Sequence, residues 1–273
     1  MNVRHPIAKI KHWRSDRLLN VGFSSYSLTH HSFPRHFHEH YVIQLVVQGT
    51  DKFYCSGNTY DAAANEIVFI NPGEVHTGST VGANTLVYCS LSPTREQLQR
   101  IAAILEKPLS SDFCFNYPVS RSSRAANKMR SLFHAIEQDA QSILSEELFF
   151  DLMNDLLDTG KAYDRTSTRV DVRVKELINV MRDSFTEPLT LQRMSELVRI
   201  SPFHLIRLFK TSTGLSPYEY LVTLRVEHAR KLLTEGRTVQ DAALESGFYD
   251  TSHLNRMFKK VSGSTPKIFR SSK

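Results

Sequence analysis

The sequence predicts an α+β chain of two domains. An N-terminal β-barrel or sandwich is followed by helices, and a C-terminal all-α part holds two helix-turn-helix units joined by a long helix. Three observations carry that expectation. Residues 34–91 alternate short β-rich runs with Gly/Pro turns, the pattern of a sandwich or small barrel. From residue 94 onward, apolar side chains recur at spacings of three and four, the period of a helix that buries one face. And one signature occurs twice in the last third of the chain.

That signature is His-Leu-x-Arg-x-Phe-Lys-x-x-x-Gly-x-(Ser/Thr)-Pro. It runs from His204 to Pro217 and again from His253 to Pro266, 49 residues on, with every fixed position aligned without a gap. This is an internal duplication. Each copy carries the signals of one helix. Ser201 is an N-cap with Pro202 at the first helical position, and Gly214 is a left-handed stop; Asp250 caps the second copy and Gly263 ends it. At about 100° per residue, Leu205, Leu208 and Phe209 share one arc, as do Leu254, Met257 and Phe258. These are core faces. The opposite arcs carry Phe203, Ile206, Arg207 and Lys210 in one copy, and Ser252, Asn255, Arg256 and Lys259 in the other. Such side chains suit a DNA major groove: Arg forks onto guanine, Asn onto adenine, and an apolar tip meets the thymine methyl. A charged helix face is often merely solvated, but its repetition on an equivalent helix points to a repeated task.

A shorter helix precedes each copy. Leu191–Val198 has apolar positions at Leu191, Met194, Leu197 and Val198 and is followed by a turn at residues 199–201. Val239–Glu245 is capped by Thr238 and followed by Ser246-Gly247. Two helices joined by such a turn are a DNA-reading unit. Between the units, Pro217–Glu235 reads as one helix, with Ser216 and Glu219 forming a capping box. It spans roughly 28 Å, against about 34 Å for one turn of DNA, so it can set the two reading heads in successive major grooves. Val172–Phe185 is the first helix of this part, ended by Glu187-Pro188.

On these residues the segment 172–270 resembles the DNA-binding domain of AraC/XylS-type transcription regulators. The strongest stretch is GFYDTSHLNRMFKKVSGSTP from Gly247 to Pro266, and the terminal Thr265-Pro266 and Arg270 match as well. The resemblance implies a sequence-specific transcription regulator, more often an activator. It maps base contacts to Phe203, Ile206 and Arg207, then to Thr251, Ser252, Asn255 and Arg256; Ile206 departs from the polar residue common at its position. Lys210 and Lys259 complete the expected DNA-facing set.

The charge distribution agrees. Residues 171–273 hold 17 Lys/Arg against 11 Asp/Glu, residues 1–170 hold 17 of each, and the whole net charge of +6 therefore sits in the suspected DNA-binding part. Neutralised phosphates supply the sequence-independent share of DNA affinity. A hydrophobic content of 41% is ordinary for globular protein. No apolar run approaches the ~18–20 residues of a membrane span, and no signal-peptide region opens the chain, so a cytoplasmic protein with no membrane partner is expected. Cys55, Cys89 and Cys114 form no C-x-x-C, which argues against a disulfide framework and a cysteine zinc site.

In the N-terminal part, residues 1–30 say little beyond a possible strand at Val21–Leu28. Strands are expected at Tyr41–Gln48, Lys52–Cys55, from Thr59-Tyr60 onward, at Glu66–Ile70 and at Leu86–Leu91, with turns at Ser56-Gly57-Asn58 and Asn71-Pro72-Gly73. Two clusters stand out: RHFHEH at residues 35–40 and NPGEVH at 71–76. On a strand, His36, His38 and His40 share one face, and His76 can approach them after its turn. The His-x-His before a strand and the Pro-Gly-x-x-His element resemble the cupin-like sensor domain that begins AraC/XylS regulators. The resemblance favours a small-molecule effector pocket rimmed by His36, His38, His40, Tyr41 and His76. The other reading is that these histidines satisfy backbone carbonyls at a barrel mouth. Histidines so spaced can also bind a divalent metal, as in cupin enzymes. Those enzymes usually add a carboxylate about four residues past the second His, where Val42 stands, so neither a metal nor another cofactor is expected.

Helices follow the strands. Thr94 caps residues 95–107, Arg124–Ile136 is the next, and Leu144–Leu157 groups Leu148, Leu152, Asp155 and Leu156 while Phe149, Met153 and Leu157 broaden its apolar arc. That arc is buried on the barrel or against a second subunit, and in the resembling family such helices often dimerise. The expected division is a cupin-like domain over 1–160, a polar linker over 161–171 and a DNA-binding domain over 172–273. Expected partners are double-stranded promoter DNA, a small-molecule effector, a second copy of the chain and RNA polymerase. The rival from another class is a cupin-type metal oxygenase with a DNA-binding appendage, its ion on His36, His38 and His76. A non-specific architectural DNA-binding protein is a third reading, poorly served by a charge of only +6.

Overall fold

A computed structural model describes residues 7–82, 84–162 and 171–271. The linker expected at 161–171 lies almost wholly outside the described residues. Two compact units are present, one with the first three helices and every strand outside the segment Phe33–Phe37, the other with that segment and the remaining helices.

The strands are β1 Ile7–Trp13, β2 Gly22–Thr29, β3 Ser32–His36, β4 Val42–Gln48, β5 Thr50–Cys55, β6 Asn58–Ala63, β7 Ile67–Ile70, β8 His76–Thr80, β9 Leu86–Ser92, β10 Phe113–Phe115, β11 Val119–Ser120 and β12 Gly160–Ala162. They form a six-stranded sheet in the order β1-β2-β9-β4-β7-β11, a four-stranded sheet β3-β8-β5-β6 and a pair β10-β12. Gly49 (φ +82°) turns β4 into β5, and an added Cβ there would lie 2.6 Å from the Thr85 carbonyl oxygen, so only glycine fits. Strands β1, β3, β8, β10, β11 and β12 went unread in the sequence, because they alternate weakly, carry almost no apolar residues or run to only two or three residues; β8 is His-Thr-Gly-Ser-Thr.

The six-stranded sheet has two unlike faces, as period-two alternation requires. One carries Phe23, Ile43, Leu45, Ile67, Phe69 and Leu91. Helices α1 (Arg95–Ile104), α2 (Ser123–Asp139) and α3 (Ile143–Leu157) cover this face. α3 buries Phe149, Leu152, Met153, Leu156 and Leu157 in the same core, each worth about 1.5–3 kcal/mol of burial. Its apolar stripe therefore finds its partner within the unit. The residues of alternate parity form the other face: Ser24 pairs with Ser90, which pairs with Gln44, and Tyr26 pairs with Tyr88, which pairs with Val46.

The second unit holds α4 Val172–Ser184, α5 Leu191–Leu197, α6 Pro202–Thr213, α7 Pro217–Thr234, α8 Val239–Glu245, α9 Thr251–Ser262 and α10 Pro266–Arg270. Caps and stops fall where the sequence placed them, with Ser201 accepting from His204 N–H, Thr238 from Asp241 N–H and Asp250 from His253 N–H. The Ser216–Glu219 capping box is complete. Arg225 on α7 donates to the carbonyls of Phe185 (2.7 Å) and Glu187 (2.8 Å), satisfying orphan carbonyls at the end of α4. The second helix-turn-helix closes over Val226, Ala229, Leu233, Ala242, Phe248, Leu254 and Phe258. One expectation shifts: of the four apolar positions of α5, Met194 and Val198 are buried while Leu191 and Leu197 are exposed. Two turns of helix bury a narrower arc than the spacing implied.

Candidate DNA-reading helices and buried polar sites

α6 and α9 present the faces expected of them. Leu205 and Phe209 on α6, and Leu254 and Phe258 on α9, are buried, while Leu208 and Met257 are half-buried. Phe203, Arg207, Lys210, Ser252, Arg256 and Lys259 are exposed. Phe203 is 71% exposed, and the Arg207 guanidinium lies 6.0 Å from its ring centre. This i, i+4 cation–π contact holds the guanidinium on the outer face. Ile206 is the least exposed of its arc and lines a small apolar cleft of about 220 Å³ with Leu189, Leu191, Met194, Pro217 and Tyr218. Thr251 and Asn255 are half-buried, and the Asn255 amide donates to the Thr251 carbonyl at 2.8 Å. Its carbonyl oxygen and second N–H remain for a base. Tyr249, 89% exposed beside the Asp250 cap, joins this surface unannounced; a lone aromatic in a turn carries no periodic signal.

Burial and the neighbouring Arg256 lower the pKa of His253, whose ring meets Phe248 edge-on at 5.2 Å. His253 therefore stays neutral at neutral pH and supports the turn rather than adding charge.

The expected effector residues do not assemble as a strand face. β3 ends at His36, and residues 37–40 are irregular, with one isolated bridge from His40 to Thr94. A loop brings the rings together instead. His38 lies 4.6 Å from His40 and 5.1 Å from His76, centre to centre. The turn carrying His76 is tied to this loop, because Gly73 N–H donates to the His38 carbonyl at 2.8 Å. Glu74 braces the turn, accepting from Asn71 N–H (2.8 Å), the Asn71 amide (3.3 Å) and the Ser56 hydroxyl (3.2 Å). All four histidines, 36, 38, 40 and 76, are buried. Two of them do satisfy carbonyls: His36 Nδ1 meets Pro34 O at 2.8 Å and His76 Nδ1 meets Glu74 O at 2.9 Å.

Tyr41 departs from the pocket rim expected of it. It is fully buried in the helix-covered core, and its hydroxyl donates to Phe113 O at 2.7 Å. Desolvation pushes its pKa up to about 12. It starts the chain's entry into β4, where alternation turns its ring toward the core and away from the histidines.

A second buried polar group escaped sequence reading altogether. Ser24, Ser90, Gln44 and Asp51 are all buried; the first three lie in one row across the six-stranded sheet, and Gln44 donates to Asp51 Oδ2 at 2.7 Å. Asp51 is 6% exposed, and its Oδ1 has no hydrogen-bond partner. Desolvation raises its carboxyl from 3.8 to about 6. Tyr88 and Tyr26 stack beside this row at 4.7 Å. An unpaired buried carboxylate oxygen is costly, and a donor from a ligand would relieve it.

No helix of the described residues is long and apolar enough to cross a membrane. The AraC-like ligand binding domain family matches residues 21–153, and a helix-turn-helix domain family matches residues 194–272. The HTH-type transcriptional regulator YbfI of Bacillus subtilis (strain 168) is 28% identical, over 81% of each chain. The HTH-type transcriptional activator RhaS of Escherichia coli (strain SE11) is 26% identical, over 87% of each. ToxT of Vibrio cholerae O395 shares the fold across 97% of both chains, with a TM-score of 0.52 and 12% identity. A barrel matched by a ligand-binding family, a duplicated helix-turn-helix and transcription regulators as full-length relatives agree with one another, and the chain belongs to the AraC/XylS family of transcriptional regulators.

Proposed function

We propose that this regulator is a sequence-specific activator in the cytoplasm, controlled by a small-molecule effector held in its N-terminal unit and working as a homodimer. The observation that carries the reading is the pair of equivalent exposed faces on α6 and α9, each over its own buried Leu and Phe. Arg207 and Arg256 are the base-reading arginines, with Phe203, Ile206, Thr251, Ser252 and Asn255 completing the contact and Lys210 and Lys259 on phosphate. The effector takes its polar contacts from His38, His40 and His76 and from the Asp51–Gln44 row. A bound effector must differ in affinity between two states of the protein to change promoter occupancy. Activation further requires a surface offered to RNA polymerase at the promoter. RhaS, similar along most of its length, bears the name of activator, which supports that direction.

The test is selection of bound duplexes from a random library by the full-length chain at near-physiological salt. Enrichment of two elements about one helical turn apart is the expected result. Equal retention of all duplexes would favour an architectural protein over this reading.

A further inference from the structure

The duplication makes the two reading heads comparable position by position, because a shift of 49 residues lays α6 on α9. What they share is basic: Arg207 matches Arg256 and Lys210 matches Lys259. What they do not share is the chemistry beside those cations. Phe203 stands where α9 has Ser252, and Ile206 where it has Asn255. The surroundings change in the same sense, since Leu191 answers to Gln240 and Tyr218 to Lys267. Phe203 is 71% exposed, and Ile206, Leu191 and Tyr218 are exposed as well. The first head thus keeps an apolar surface in water, and the second a polar one. Ile206 lines its cleft together with Leu191 and Tyr218, and the Arg207 guanidinium lies 6.0 Å from the centre of the Phe203 ring. Packing therefore holds both apolar side chains on the arc that carries Arg207.

We propose that the two heads read different chemical groups: Phe203 and Ile206 on α6 recognise thymine by its methyl group, whereas Asn255 on α9 recognises adenine by its hydrogen-bonding edge. The thymine methyl is the apolar group that a base pair offers in the major groove, and an exposed Phe–Ile pair gains by leaving water against it. Neither side chain donates or accepts a hydrogen bond. Against the polar edges of the other bases they would strip water and return nothing. Asn255 keeps a carbonyl oxygen and an N–H beyond its bond to Thr251, the acceptor and donor that the adenine edge requires. Arg207 and Arg256 supply the same guanine contact to both elements. The two elements are consequently unlike, and their order fixes the direction in which one chain lies along the duplex. This inference rests on the DNA-reading assignment of α6 and α9 and adds which group each head selects.

The test uses the full chain and the operator that duplex selection yields. Arg207→Ala and Arg256→Ala each relax one element and so assign each element to its head. Thymine is then replaced by uracil, which lacks only the methyl, in one element at a time. Adenine is replaced in the same way by 7-deazaadenine, which lacks the N7 acceptor. Uracil in the α6 element should weaken binding about fourfold per methyl. In the α9 element 7-deazaadenine should weaken it about fivefold, and uracil there should change nothing. The uracil penalty should shrink in Phe203→Ala and vanish in Phe203→Ala/Ile206→Ala, which a loss of helix stability alone would not produce. Four results overturn the proposal and leave the DNA-reading assignment standing: an α6 element without thymine, an equal uracil penalty in both elements, a penalty retained in full by the variants, or no response to 7-deazaadenine in the α9 element. Failure of the selection to enrich any element removes that assignment itself, and this inference with it.

Discussion

The two units handle polar chemistry in opposite ways. In the helical unit the side chains proposed to meet a partner stand in water on α6 and α9, over a dry core of Leu, Phe and Val. In the barrel unit the interesting polar groups are inside: His38, His40, His76, Gln44 and Asp51 are all buried. A rigid polyanion such as DNA is met by an outer face, and long cationic side chains cost little to keep solvated until it arrives. A small ligand is met by groups already stripped of water, whose desolvation makes every contact stronger and every vacancy more expensive. The difference explains why net charge gathers in one unit and the raised carboxyl of Asp51 lies in the other.

The largest effect that would sharpen this contrast is in the helical core. Leu254→Ala should destabilise the second helix-turn-helix by about 2–5 kcal/mol, and chemical denaturation should show it; native stability would mean that α9 does not rest on Leu254. Next comes Asp51. Its carboxyl titrates at about 6 rather than 3.8, so the fold favours the protonated form. With respect to this group, stability is greatest below the unfolded value near pH 4. It falls as pH rises toward about 6 and stays at its lower level above that. The shift corresponds to about 3 kcal/mol. Asp51→Asn should raise stability by up to that amount at about pH 8 and flatten the pH dependence between about 4 and 6, read by thermal melts across pH. A variant no more stable than wild type at pH 8 would show that Asp51 is solvated.

Smaller effects concern the reading heads. Arg256→Ala is expected to cost roughly 1–3 kcal/mol on the selected operator and to relax preference at one base. An equal loss on random duplex would place Arg256 on phosphate. Lys259→Ala should weaken all sequences alike and lower the salt slope by about one, measured as affinity against salt concentration. Smallest is the cap: Asp250→Ala removes the acceptor of His253 N–H, 2.7 Å away, and should cost about 1 kcal/mol in stability.

Legibility followed the range of the forces involved. In the helical unit a helix end is decided within four residues, by Ser201 and Pro202, by Thr238, by Ser216 with Glu219, and by Gly214 and Gly263 at positive φ. The duplication then marks which face repeats. Even so, the narrow burial of α5 and the position of Ile206 in a cleft depended on what packs beside them.

The sequence by itself determined the class of this protein, the tandem helix-turn-helix with its reading faces, and the strands β2, β4, β5, β7 and β9, since caps, turns and apolar periodicity act locally. Only the tertiary structure decided what the barrel encloses. It ended β3 at His36 and let a loop, not a strand face, gather the histidines; it turned Tyr41 into the core. It also set Gln44 against Asp51, seven residues away, and Ser24 in line with Ser90. Sheet register joins residues that no local pattern connects, and burial rather than residue type gives those polar groups their chemistry.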